Sequence, residues 1–196
     1  MSDTTPTTTI EPTRTVNGHT VPAAGAYTVD PSHSSVGFVA RHLMVTKVRG
    51  NFTDYSVELN IAEVPEESKV DVVIQAGSIS TGDAGRDGHV TSPDFLDVEK
   101  FPTLEFHSTS VTATGSEWAV AGDLTVHGVT KPVTLAVVFA GVAADPWGNQ
   151  RSLFSGELEF DREDFDLTWN QPLAGGGVLV GKKVKVEIEI QALPAS

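Results

Sequence analysis

From Tyr27 onward, apolar residues recur at every second position, and this spacing decides the fold class before any motif is considered. Val36, Phe38, Ala40 and His42 fall on one face, with Gly37, Val39, Arg41 and Leu43 on the other. The same alternation carries Tyr55, Val57, Leu59 and Ile61, then Val70, Val72, Ile74 and Ala76, then Leu104, Phe106 and Ser108. It continues through Trp118, Val120, Gly122, Leu124 and Val126, through Val133, Leu135, Val137 and Phe139, and through Phe154, Gly156, Leu158 and Phe160. The last run, Val184-Lys185-Val186-Glu187-Ile188-Glu189-Ile190, is the most regular. A period of two sends successive side chains to opposite faces, so each run reads as a strand with one apolar face. Turn-forming clusters separate the runs: Val64-Pro65-Glu66-Glu67, Thr114-Gly115-Ser116, His127-Gly128, Asp145-Pro146-Trp147-Gly148-Asn149 and Gly175-Gly176-Gly177. About eight strands joined mostly by hairpin-length loops make an all-β, antiparallel protein.

One segment does not alternate. In residues 83–97, Ser92 is a candidate helix cap followed by Pro93 at the first helical position, with Asp94 near the positive end of the helix dipole. One or two short helices are expected there, lying across one end of the strands, with Phe95 and Leu96 toward the core. The glycines at 82, 85 and 88 weaken any longer helix. The strand runs are long, about nine to eleven residues, which at roughly 3.3 Å per residue and a tilt near 40° gives a wall about 25 Å high. Eight such strands close around an interior that is filled by side chains or holds one small ligand.

Charge and composition narrow the partners. The 196 residues carry 26 Asp and Glu against 13 Lys and Arg, a formal net charge of −13. So acidic a chain repels phosphate backbones and anionic headgroups, which argues against nucleic-acid binding and polybasic membrane docking. There is no cysteine, which removes disulfides, thiolate catalysis and Cys-type metal sites. Residues 1–26 are rich in threonine and proline and too polar to repay their ordering entropy, so a disordered tail is expected before a domain over residues 27–193. That tail lacks the basic start and apolar run of a secretory signal, and no window approaches the roughly 20 apolar residues of a membrane span. The expectation is a cytoplasmic protein without stable membrane insertion.

Several blocks resemble the YceI-like family of lipid- or polyisoprenoid-binding, lipocalin-like proteins. Tyr27-Thr-Val-Asp-Pro-Ser-His-Ser-Ser-Val-Gly-Phe38 resembles the family's opening, and Arg41-His42 with Val48-Arg-Gly-Asn-Phe52 fits its next strand and turn. More specific are Ser78-Ile-Ser-Thr-Gly82, Arg86-Asp87-x-His89, Ser92-x-Asp-Phe95-x-Asp97, Phe101-Pro102-Thr-Leu-Glu-Phe106 and Gly122-Asp-Leu-Thr-Val-His-Gly-Val-Thr-Lys-Pro-Val133. The chain departs from the pattern at Leu96, where Phe is usual, at Val90, where Leu is common, and in Arg162-Glu-Asp-Phe-Asp166, which lacks the usual closing glycine. Residues 171–177 also diverge and are a candidate rim of a cavity. The resemblance implies an eight-stranded antiparallel lipocalin-like β-barrel with a short capping helix, a long apolar lumen and commonly a homodimer. It implies a long apolar small-molecule ligand such as an isoprenoid quinone, a polyprenyl chain or a fatty-acid derivative, with no cofactor and no enzymatic activity.

Candidate ligand-facing residues are the apolar phase of each strand: Phe38, Leu124, Val126, Leu135, Val137, Phe106 and Phe160, with Tyr55, Val72, Ile74 and Val186 in the same phase and Phe52 and Phe95 near the cap. The residues alone leave open whether these side chains fill the lumen or face a ligand, and a register slip of one residue would swap the faces. His42 continues the phase of Phe38; desolvation would hold its imidazole neutral there, to bond a ligand headgroup or a backbone carbonyl. None of the six histidines pairs at metal-ligand spacing. His19 lies in the tail, His107 is expected to face water, and His33 with Ser34 stabilises a turn. Arg86, Asp87 and His89 look like a catalytic set, but pairing of Arg86 with a carboxylate such as Asp97 would fix the cap to the barrel instead. No nucleophile-elbow serine occurs, Gly175-Gly176-Gly177 lacks the context of a phosphate loop, and the acidic run from Asp161 to Asp166 lacks calcium-loop spacing. Three readings follow: a non-enzymatic carrier, an enzyme acting on an amphiphile through His42 or the Arg86 and His89 cluster, and a filled barrel that binds a protein through a sheet face.

Overall fold

The computed structural model describes residues 12–195. Strands β1 (Thr13–Val16) and β2 (His19–Pro22) form a separate hairpin. Next come β3 (Gly25–Val29), β4 (Ser35–His42), β5 (Thr46–Phe52), β6 (Tyr55–Ile61), β7 (Lys69–Gln75) and β8 (Ile79–Ser80). After helix α1 (Ala84–Thr91) come β9 (Thr103–Thr114), β10 (Glu117–Val126), β11 (Val129–Ala144), β12 (Gln150–Asp161) and β13 (Val180–Pro194).

The first six strands of the large sheet act in pairs as three bent staves. β3 and β4 are broken at residues 30–34, β5 and β6 at residues 53–54, and β7 and β8 by a single 3-10 turn at Ala76–Ser78. Each half of a stave pairs with the matching half of its neighbour, as Ala40 with Val48 and Tyr27 with Leu59. β13 then closes the ring, pairing with β12 along one side (Val186 opposite Leu158) and with β4 and β3 along the other (Val186 opposite Phe38, Ala192 opposite Val29). The result is a closed antiparallel barrel of eight staves with one short helix.

Closure explains why the alternation held its phase. Phe38, Val186 and Leu158 are direct cross-strand partners, so one register places all three inside. Strand lengths depart from the expected nine to eleven in both directions: β11 has 16 residues and β13 has 15, while β4 has 8 and β5, β6 and β7 have 7 each, because their staves are broken. The extra length of β11 is hidden in sequence because the register shifts between Phe139 and Gly141, and such a bulge resets the alternation while bending the strand. A second shift, between Ala121 and Gly122, lets the Phe106 ring lie over Gly122, where a Cβ would stand 2.5 Å from both that ring and the His107 carbonyl.

Three expectations are corrected. The tail does not remain unstructured over residues 13–22: Val21 is buried, His19 lies 5.4 Å from Trp118, and the Arg14 guanidinium donates to the carbonyls of Pro22, Ala62 and Glu63. Long-range contacts of this kind repay the ordering entropy that local polarity alone would not. Residues 1–11 of the expected tail lie outside the described residues. The helix begins earlier than Ser92: Asp83 is its cap, accepting from the Arg86 N–H at 2.8 Å, while Ser92 ends it and bonds back to the His89 carbonyl at 2.7 Å. Arg86 does not meet Asp97, which pairs with Lys100; it donates instead to the hydroxyl and carbonyl of Thr81. Asp87 accepts from the same threonine, so α1 is fixed to the end of β8 by two adjacent residues.

Two packed clusters bracket the barrel. Val36, Phe52, Ile79, Leu96, Val126, Phe165 and Leu167 pack at the α1 end, burying Leu96 as expected. Tyr27, Ile61 and Ala192 pack at the hairpin end.

Candidate functional site

Between these clusters the barrel encloses a cavity of about 680 Å³, within the few hundred to one thousand Å³ of small-molecule sites. Its wall is almost wholly apolar and draws on every stave. Interior packing is normally close to crystal density, so a void of this size inside a barrel is room for a guest. Gly156 contributes directly: it faces the lumen with no side chain, and a Cβ there would meet Ile188, Val137 and Leu135 only at ordinary contact distances of 3.7–3.8 Å.

All ten candidate residues lie on this wall: Phe38, His42, Phe52, Phe95, Phe106, Leu124, Val126, Leu135, Val137 and Phe160. Val72, Ile74 and Val186 lie there too. Tyr55 does not; its ring packs against the α1-end cluster, and its buried hydroxyl has no partner among the described residues. Burial raises the pKa of that hydroxyl. Residues 171–177 are not on the wall either, although Trp169 and Leu179 on either side of them are. Sequence reasoning passed over Trp118, Phe154, Trp169 and Arg162. Phe154 lies two and four residues before Gly156 and Leu158 in an alternating run, so register alone would have found it; Trp169 sits in an irregular segment with no such signal.

Ser68 and Lys69 line the hairpin end of the wall, while Arg162, His89, Arg86 and His42 stand at the α1 end. Arg162 follows β12 in a short 3-10 turn and is 3% exposed. Its Nε donates to the Gly181 carbonyl at 3.1 Å and its Nη1 to the Leu167 carbonyl. Its Nη2 is buried without a partner among the described residues, and desolvation lowers the pKa of the group. Among the described residues no carboxylate stands within salt-bridge distance of it, and the nearby charges of Glu163 and Asp161 only partly oppose the desolvation. His89 bonds Asp94 through Nε2 at 2.9 Å and meets Trp169 edge-on at 4.7 Å and Phe95 at 5.1 Å. His42 is half-buried on the same stretch of wall.

Arg86, Asp87 and His89 do not converge. The first two meet at the Thr81 hydroxyl, which ties α1 to β8, and the third is engaged with Asp94, so the three do not form one set. His107 is half-exposed, as expected, and bonds Asp71 at 2.7 Å. His33 bonds Asp30 at 2.9 Å in the bend between β3 and β4, consistent with a turn-stabilising role.

A protein-family model, the YceI-like domain, matches residues 27–192. The chain belongs to the YceI-like family. A "UPF0312 protein" of Pseudomonas syringae pv. syringae is 40% identical over 148 residues, covering 74% of this chain and 77% of that one. Among solved structures, BcnA of Burkholderia cenocepacia superposes with a TM-score of 0.72 at 22% identity, over 83% of this chain and 98% of that one. A polyisoprenoid binding domain from Saccharophagus degradans, implicated in plant cell wall breakdown, superposes with a TM-score of 0.60 at 16% identity, over 86% and 98%. At those identities the two structures establish the shared barrel.

Proposed function

We propose that this YceI-like barrel binds one long-chain amphiphile in its lumen, as a non-enzymatic carrier or sequestering protein. The observation that carries the reading is the cavity of about 680 Å³ with an almost wholly apolar wall. Burying an alkyl or prenyl chain gains about 0.8 kcal/mol per CH₂, so roughly ten methylenes offset an entropy cost of several kcal/mol. Isoprenoid quinones, polyprenyl chains and fatty-acid derivatives have this shape, and the polyisoprenoid binding domain of Saccharophagus degradans supports that class. The polar end of the ligand lies at the α1 end, where Arg162 Nη2 can donate to an oxygen that no described residue supplies. A carrier role is favoured over catalysis because Arg86 and Asp87 are both held by Thr81 and His89 by Asp94, so the three do not act as one set.

Native mass spectrometry of the purified protein, followed by solvent extraction, tests this. An adduct of several hundred daltons that extracts intact, or uptake of an added long-chain quinone or fatty acid at one per chain, is the expected result. A bare protein that takes up neither would overturn the reading.

A further inference from the structure

The turn between β4 and β5 breaks the rules for an exposed hairpin. Leu43, Met44 and Val45 occupy it, 45%, 56% and 76% exposed. Leu43 and Met44 also have φ of 50° and 63°, left-handed conformations that turns normally assign to glycine or asparagine. Large apolar side chains thus stand in water on a backbone that does not favour them. The turn is also placed against the cavity. His42 precedes it on the cavity wall, and the Leu43 N–H donates to the carbonyl of Leu179, another wall residue, at 2.8 Å. Exposed Arg41 on one side and exposed Gly85 and Arg86 on the other show that the wall reaches solvent at this end.

The charge around the turn is equally uneven. Arg41, Lys47, Arg49, Lys183 and Lys185 line one outer face of β4, β5 and β13, together with Glu159 and Glu187. Five of the thirteen basic residues of an acidic chain therefore sit on one patch behind the turn. Arg49 and Lys185 pair with Glu187, and Lys185 also with Glu157, whereas among the described residues Arg41, Lys47 and Lys183 have no carboxylate within salt-bridge distance. With a Debye length of about 8–10 Å, the charge on the far side of the barrel is largely screened from this patch.

We propose that this turn and its basic flank dock the barrel on an anionic lipid bilayer, with Leu43, Met44 and Val45 entering the headgroup region and the α1 end of the cavity facing the membrane. Aligned apolar tip and basic rim match the two attractions of an interfacial segment, apolar burial and attraction to anionic lipid, the latter adding about fivefold in affinity per basic residue. The net charge of −13 opposes docking only if it is spread evenly, and it is not. The proposal extends the carrier reading by naming where the ligand is collected.

Co-sedimentation with phosphatidylcholine vesicles, alone and mixed with phosphatidylglycerol, tests it on the full chain. The protein should pellet with the mixed vesicles and remain free of the neutral ones, and added salt should release it. Met44→Asp and Lys47→Glu should each weaken pelleting about fivefold or more while leaving uptake of a fatty acid delivered from ethanol unchanged. Absence of pelleting, or equal pelleting of Met44→Asp, overturns docking. If fatty-acid uptake persists in that case, the carrier reading still stands. A dimer by light scattering that Met44→Asp dissociates, without vesicle binding, also overturns docking and assigns the turn to a second copy.

Discussion

Arg162 lies over the face of Phe95, its guanidinium carbon 6.0 Å from the ring centroid, and this contact holds the buried cation at the cavity wall. With Nε and Nη1 committed to backbone carbonyls, only Nη2 is left to meet a ligand. Charge-assisted hydrogen bonds contribute about 1.5–3 kcal/mol. Arg162→Met should therefore weaken binding of a long-chain carboxylic acid about tenfold or more, and binding of the alcohol of equal chain length much less. The comparison of the two ligands within one variant separates this effect from any loss of stability, since the substitution also frees the Gly181 and Leu167 carbonyls. Equal losses for acid and alcohol in a fluorescence competition assay would refute a headgroup role.

His107 supplies a prediction in pH. Its hydrogen bond to Asp71, with Glu105 adding to it, raises the imidazole pKa above the usual value near 6.5. A raised folded-state pKa means that the protonated form is preferred in the barrel. The stabilisation is then complete below about pH 6.5 and is lost as pH rises through the folded value. Because the pair is half-exposed, the effect is small. Thermal melts between about pH 6 and 9 should show a modest decline for the natural chain that His107→Gln flattens. A parallel decline in both would assign the pH dependence elsewhere.

The barrel was legible because its strands alternate strictly and share one phase: Phe38, Val186 and Leu158 lie in separate runs yet face one another across the sheet. Eight of the ten candidate wall residues were legible for the same reason; Phe52 and Phe95 were placed by their position near the cap. What the alternation could not convey lies where the chain leaves the ladder. Tyr55 keeps the phase but sits beside the break at residues 53–54 and turns into the packed cluster rather than the cavity. Arg162 reads as one more charge in an acidic turn, because nothing local signals that its neighbours in space are Phe95, Leu167 and Gly181. The hairpin of β1 and β2 was hidden for the same reason, since Arg14 reaches beyond its own segment to the carbonyls of Ala62 and Glu63 and Val21 is buried.

Gly156 allows the lumen to be tested directly as the ligand site. A Cβ at this position has the side chains of Ile188, Val137 and Leu135 as its nearest neighbours, at ordinary contact distances of 3.7–3.8 Å, so a leucine there would occupy part of the lumen with no backbone against its Cβ. Uptake of a fluorescent long-chain fatty acid should be measured for the natural chain and Gly156→Leu, with circular dichroism and thermal melting as controls for the fold. Binding at one per chain is expected in the natural protein, with a loss of at least about tenfold in Gly156→Leu while the barrel stays folded. Unchanged uptake by a folded Gly156→Leu would contradict that site, because the ligand would then be held somewhere other than the lumen.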